Sequence, residues 1–98
     1  MRPLAGITVI DMTTNISGPT LTMILADLGA EVIKVEKPAG DEARKMEPRA
    51  GDDGVYFLNI NRQKKSVTLN MKEPEDKAKL FSLIQSADVF VENYRAGV

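Results

Sequence analysis

The sequence contains no cysteine, no histidine and no tryptophan. The first two absences exclude disulfides, thiolate nucleophiles, zinc-finger sites and imidazole acid–base chemistry within these residues. Charge of one sign is also lacking. Thirteen basic side chains face 14 acidic ones for a formal net charge of −1, without the cationic excess that bulk nucleic-acid binding needs. No apolar run approaches the ~20 residues of a membrane span. The apolar stretch after Met1-Arg2-Pro3-Leu4-Ala5-Gly6 is stopped by Asp11, short of a signal peptide. We therefore expect no nucleic-acid partner, no membrane association, no metal and a cytoplasmic location. What is present, 43% hydrophobic and 28% charged residues in a chain of 98, is the composition of one small globular domain. Any chemistry carried by these residues must use carboxylates, Lys, Tyr, Ser, Thr or backbone groups.

Ile7-Thr8-Val9-Ile10 is a β-branched run that predicts a short buried strand, with Asp11 at its end. After Thr13-Thr14-Asn15, Ser17 or Gly18 suits a helix cap and Pro19 its first turn. Leu21, Ile24, Leu25 and Leu28 recur at the spacing of one buried helix face, and Gly29 is placed to end that helix in a left-handed conformation. Glu31–Glu36 predicts a second strand. Strand, helix and strand within ~30 residues make a βαβ unit, which is parallel and right-handed. Residues 37–54 show no periodicity and predict a long loop, while residues 55–60 admit a brief helix or a strand. Residues 66–71 alternate as a third strand. Pro74 then opens a second helix, with Glu75 and Asp76 at its positive end and Leu80, Leu83, Ile84 and Ala87 as its buried stripe. Residues 88–92 form the fourth strand.

This pattern gives an α/β fold, a parallel sheet built from βαβ units. Two or three helices cannot cover both faces of four parallel strands. We therefore expect residues 1–98 to be the front part of a larger domain. Taken alone, the chain should be marginally stable or self-associating through exposed apolar surface.

Ligands of open α/β sheets bind beyond the carboxyl ends of the strands. Here those ends are residues 11–18, 36–40, 70–73 and 93–97, which a parallel sheet gathers along one edge. The edge collects Lys37, Lys72 and Arg95, the amides of Asn15, Asn70 and Asn93, and the ring of Tyr94. That mixture suits a phosphorylated ligand with an aromatic base. Singly, each residue reads as ordinary solvated surface; their convergence is what points to a ligand. No acidic residue occurs between Gly54 and Lys72, where Arg62, Lys64 and Lys65 fall, and phosphate attraction and a solvated turn both account for that run. The dinucleotide-binding pattern G-x-G-x-x-G is absent, because residues 13–19 hold Gly18 alone. Glu36 as a ribose-binding acid then stands by itself, and NAD binding is not expected. Asp11 reads as a turn-capping carboxylate, and no pair of carboxylates suggests catalysis.

Leu4-Ala5-Gly6-Ile7-Thr8-Val9-Ile10-Asp11-Met12-Thr13, Ser17-Gly18-Pro19 and Leu25-Ala26-Asp27-Leu28-Gly29-Ala30-Glu31-Val32-Ile33-Lys34-Val35-Glu36-Lys37-Pro38 resemble the opening of the family III CoA-transferases. This is the carnitine dehydratase and bile-acid-inducible group, which includes formyl-CoA transferases and α-methylacyl-CoA racemases. Tyr56-Phe57-Leu58, Asn61-Arg62-Gln63-Lys64-Lys65-Ser66, Leu69-Asn70-Met71-Lys72 and Ala87-Asp88-Val89-Phe90-Val91-Glu92-Asn93-Tyr94-Arg95-Ala96-Gly97 match in order and spacing, so the resemblance covers the whole chain.

The resemblance implies a Rossmann-like CoA-binding domain, here its N-terminal part, with the catalytic region and second domain absent. It implies a longer parent that forms an interlinked homodimer and uses coenzyme A, acyl-CoA and carboxylic acids as substrates. Carried over by position, the CoA-contacting residues are Ile16, Ser17, Lys37, Leu69, Asn70, Met71, Lys72, Asn93, Tyr94 and Arg95. Lys37 falls at the adenine or ribose-phosphate end, Asn93 hydrogen-bonds the coenzyme and Tyr94 offers it an apolar face. The family's transferase nucleophile is an aspartate that forms a mixed anhydride with the acyl group. It lies beyond residue 98, so the resemblance implies that these 98 residues alone are inactive. An acyl-CoA racemase using a His and Asp pair, and a non-catalytic nucleotide-binding module, are the alternatives. Two departures are local: Glu73 is a poorer helix cap than the Ser, Thr or Asp of relatives, and Asn15-Ile16 stands where acid-specific members carry other residues.

Overall fold

A computed structural model describes residues 2–14, 17–40, 44, 49–50, 53–54, 58 and 60–94. In chain order the elements are β1 (Thr8–Met12), α1 (Ser17–Asp27), β2 (Glu31–Glu36), β3 (Arg49–Ala50), β4 (Asp53–Gly54), β5 (Lys65–Thr68), α2 (Pro74–Gln85) and β6 (Val89–Glu92). Four strands form one sheet in the order β5-β2-β1-β6, and β3 and β4 form a separate two-stranded pair among the described residues. Every pairing in the larger sheet is parallel: Thr8 opposite Glu31, Val9 opposite Val89, Ile33 opposite Lys65. The α/β architecture with a parallel sheet is therefore the one expected. The sheet grows from β1 through β2 to β5 and then reverses to place β6 on the other side of β1, so the topological switch point lies between β1 and β6.

Side chains alternate across the strands, and each face has its own cluster. Ile10, Met12, Val35, Leu69 and Leu80 form one, joined by Ile33, Val67, Leu83, Ile84 and Ala87. The predicted stripe of α2 is thus the stripe that packs. Val9, Ala26, Ala30 and Val32 form the other, with Leu25 and Val91 against them. Gly29, at φ 108°, ends α1 through bonds from its own N–H to Ala26 and from Ala30 N–H to Leu25, a Schellman closure. As expected of Glu73, the N-terminus of α2 has no side-chain cap.

Three readings of the chain are corrected. Strand β1 does not stop at Asp11 but runs through it to Met12, because the buried carboxylate finds partners there and need not turn to solvent. Strand β5 begins at Lys65 and ends at Thr68, since Asn70 Oδ1 accepts from Lys72 N–H and bends the chain away. The third correction is the largest. Leu21, Ile24 and Leu28, expected on the buried face of α1, are 47%, 48% and 40% exposed. The helix instead turns Gly18, Thr22 and Ala26 to the sheet, with Leu25 partly buried. Small residues let it sit close: a Cβ on Gly18 would lie 2.4 Å from Cβ of Thr13. Within the predicted loop, Arg49–Ala50 and Asp53–Gly54 pair antiparallel. Of residues 55–60 only Leu58 and Ile60 are described, and both are helical, which favours the brief helix over the strand there.

Candidate functional site at the carboxyl edge of the sheet

Because all four strands run the same way, their carboxyl ends share one rim. Along it stand, in spatial order, residues 69–72 after β5, Lys37 after β2, Thr13 and Thr14 after β1, and Asn93 and Tyr94 after β6. Ser17 begins α1 at the same rim. Ile16 and Arg95 lie outside the described residues. Lys37, Lys72, Asn93 and Tyr94 are exposed, whereas Asn70 and Met71 are half-buried. Leu69 differs from the rest, since its side chain is in the core and its N–H bonds the carbonyl of Glu36 at 2.9 Å. Asn70 receives a further fixed partner, its N–H donating to Asp76 Oδ2 at 2.8 Å.

Behind the rim, on the α1 face, the sheet changes character along its length. Val9 and Val32 are apolar; Asp11, Lys34 and Glu36, two and four residues further on, are charged and buried. Asp11 accepts from the N–H of Thr13 at 2.8 Å, from the hydroxyls of Thr13 and Thr22, and from Lys64 Nζ at 3.0 Å. Burial alone would raise its pKa. The Thr13 and Thr22 hydroxyls, the Lys64 ammonium and the Thr13 N–H together outweigh that and hold the carboxyl below its ordinary value.

Lys64 is equally enclosed, with its side chain 1% exposed. Its three donors meet Asp11, the Pro19 carbonyl at 3.2 Å and Asn61 Oδ1 at 2.7 Å. Buried Lys34 reaches the Thr13 carbonyl at 3.1 Å. Glu36 takes a bidentate pair from Arg44, Nε and Nη2 both at 2.8 Å, and the hydroxyl of Ser66 at 2.7 Å. Its carboxylate is thus engaged inside the fold and not turned to a ribose.

The cationic run around the start of β5 divides: Lys64 is enclosed, while Arg62 and Lys65 are exposed, as in a solvated turn, and pair with carboxylates there. Lys64 is buried on Asp11, Arg62 pairs with Asp27 at 2.7 Å and Lys65 with Glu31 at 3.2 Å. Sequence reading missed this network. Its one visible signal was the alternation Val32, Lys34, Glu36, which puts two charges on a face that must be covered.

Asn93 closes the rim at the switch point. Thr14 N–H donates to its Oδ1 at 3.1 Å, and its Nδ2 donates to the Thr14 carbonyl at 2.7 Å. At the opposite end of β6, Asp88 plays a similar part, accepting from Thr8 N–H at 2.9 Å. What this edge offers chemically is two exposed cations, Lys37 and Lys72, and the ring of Tyr94, with the buried polar groups of the α1 face behind them. Among the described residues no group of three carboxylate, His or Cys side chains could hold a metal ion.

Residues 4–98 match the family described as CoA-transferase family III. The succinyl-CoA:glutarate CoA-transferase of Mus musculus is 48% identical over 99 residues, covering 99% of this chain and 23% of that protein. The acetyl-CoA:oxalate CoA-transferase of Acetobacter aceti is 45% identical, covering 98% and 25%. Among solved structures, a CAIB/BAIF family protein from Brucella suis superposes with a TM-score of 0.91 at 36% identity, covering 97% of this chain and 26% of that one. A hypothetical protein from Mycobacterium tuberculosis gives 0.91 at 44% identity, covering 99% and 27%. The chain spans about a quarter of the length of the relatives it matches.

Proposed function

The chain belongs to CoA-transferase family III, and we propose that it forms the N-terminal CoA-binding part of an enzyme that moves CoA between an acyl-CoA thioester and a carboxylic acid. The observation that supports this reading is the shared rim. Four parallel strand ends bring Ser17, Lys37, residues 69–72, Asn93 and Tyr94 to one edge, where an open α/β sheet holds its ligand. Lys37 supplies a cation for the ribose-phosphate end of the coenzyme, and the Tyr94 ring supplies an apolar face. CoA enters as substrate and no metal takes part.

In this reading an aspartate carboxylate, supplied by the parent beyond these residues, attacks the thioester carbonyl. The carbon–sulfur bond breaks to give a mixed anhydride and the CoA thiolate, which attacks the aspartyl carbonyl and releases the donor acid. The acceptor carboxylate then attacks that aspartyl thioester, and the thiolate set free takes the new acyl group and restores the aspartate. The parent works as a homodimer in the cytoplasm, and the 98 residues alone exchange no acyl groups. Relatives named for glutarate and oxalate make short dicarboxylates the first acceptors to test.

The direct experiment is Lys37→Ala in the full-length parent, with CoA binding followed by calorimetry. Loss of one charge-assisted phosphate contact should weaken binding by roughly tenfold or more. Unchanged affinity would remove Lys37 from the site.

A further inference from the structure

Thr13 and Thr14, which lead from β1 into the β1–α1 loop, are tied down before any ligand is considered. Thr13 gives its N–H to Asp11 at 2.8 Å, and its carbonyl receives Lys34 Nζ at 3.1 Å. Thr14 gives its N–H to Asn93 at 3.1 Å and receives Asn93 Nδ2 on its carbonyl at 2.7 Å. Four backbone groups on two consecutive residues are thus bonded by side chains rooted in β1, in β2 and immediately after β6. Loops ordinarily leave much of their backbone to water and keep their freedom. Thr13 and Thr14 are instead fixed to three neighbouring strands at the point where the sheet reverses, which is where a ligand enters.

We infer that Asn93 is a positioning residue: its amide straps the β1–α1 loop to the end of β6 and so presets the crevice that receives the coenzyme. The inference rests on the reading that this rim holds CoA, and it changes the role of Asn93 from contact to scaffold. The reason is geometric. Both the oxygen and the nitrogen of the amide turn to Thr14, one accepting from its N–H and the other donating to its carbonyl. Asp88 at the other end of β6 holds β1 through Thr8, so β6 is tied to β1 by a side chain at each end. A crevice set in advance does not lose loop entropy when its ligand arrives, and affinity gains by that amount.

The test is Asn93→Ala in the full-length parent, read in two ways. Asn93 is exposed, so the variant should fold, and circular dichroism checks that it does. In the ligand-free protein, hydrogen exchange at the Thr14 amide should quicken by roughly tenfold, and CoA affinity should fall by a similar factor. Asn93→Asp keeps an acceptor for the Thr14 N–H but sets a carboxylate against the Thr14 carbonyl. It should therefore retain part of the exchange protection and little of the affinity.

Weakened CoA binding with unchanged exchange in the ligand-free state would make Asn93 a direct contact and overturn the inference. Unchanged exchange with unchanged affinity would overturn it as well. Failure of the unaltered parent to bind CoA would instead sink the reading of the rim. The exchange measurement would still decide whether Asn93 holds the loop.

Discussion

The two faces of the sheet are drawn from the same strands and held by opposite chemistry. Against α2, Ile10, Ile33, Val35 and Val67 make an apolar middle, and the charges that share this face, such as Glu31 and Lys65, stay at its margin in solvent. Against α1, Val9 and Val32 give way to Asp11, Lys34 and Glu36 as the strands approach the rim. The apolar face gains stability from area, at about 25 cal/mol per Å² buried, and is indifferent to direction. The polar face depends on every partner being present, because one lost partner leaves a charge buried and uncompensated. Directional bonds fix positions where packing only fills space. The fold therefore keeps its general stability on one side and its geometric definition on the side that supports the rim.

The sharpest way to break this contrast is at Lys64. Lys64→Met should cost about 3–5 kcal/mol, since Asp11 keeps its burial and loses its counter-charge. Against the ~5–15 kcal/mol stability of typical domains, that loss is a large share of the whole. Urea unfolding measures it. Pairing the change with Asp11→Asn should cost clearly less than the sum of the two single changes, and simple additivity would show that the pair is not coupled.

Acid adds a second reading. The folded pKa of Asp11 is depressed, so its contribution is present above the ordinary carboxylate value and is lost as pH falls through the lowered folded one. Stability should therefore decline with acid below the usual carboxylate range, and Asp11→Asn should flatten that decline. An identical slope in both proteins would mean that Asp11 does not carry it.

The apolar face should respond differently. Leu80→Ala removes the buried anchor of α2 and should cost about 2–5 kcal/mol from lost transfer energy and the cavity left behind. That cost should be nearly flat with pH, whereas a loss that grows in acid would join the two faces into one network.

The same contrast explains what could be read from the chain before its structure. Period-2 and period-3.6 patterns are local, so the parallel strands, the Leu80 stripe and the Gly29 stop were legible. The rim followed from strand direction alone. The face of α1 was not legible, because hydrophobic spacing selected Leu21, Ile24 and Leu28, and nothing near Thr22 in sequence says that its hydroxyl is needed by Asp11. Buried polar groups choose partners by space. Lys64 lies 53 residues from Asp11, and Asn93 lies 79 from Thr14. Apolar patterning announces itself within one turn; a satisfied polar network becomes visible only when the strands are set side by side.

Lys65 gives the smallest effect and the cleanest contrast, since it is the same residue type one position along. Its side chain is 69% exposed and its partner Glu31 is 52% exposed. Solvent screens such a pair, and holding two long side chains in one geometry offsets much of what the attraction contributes. Lys65→Ala should change stability by less than about 1 kcal/mol, and added salt should shrink even that. Lys64 precedes β5 and is enclosed, whereas Lys65 opens the strand and stands in solvent, so burial separates a keystone from an ornament of the surface. A Lys65→Ala loss as large as that of Lys64→Met would mean that an exposed pair holds this sheet as firmly as an enclosed one, and the contrast between the two faces would lose its basis in burial.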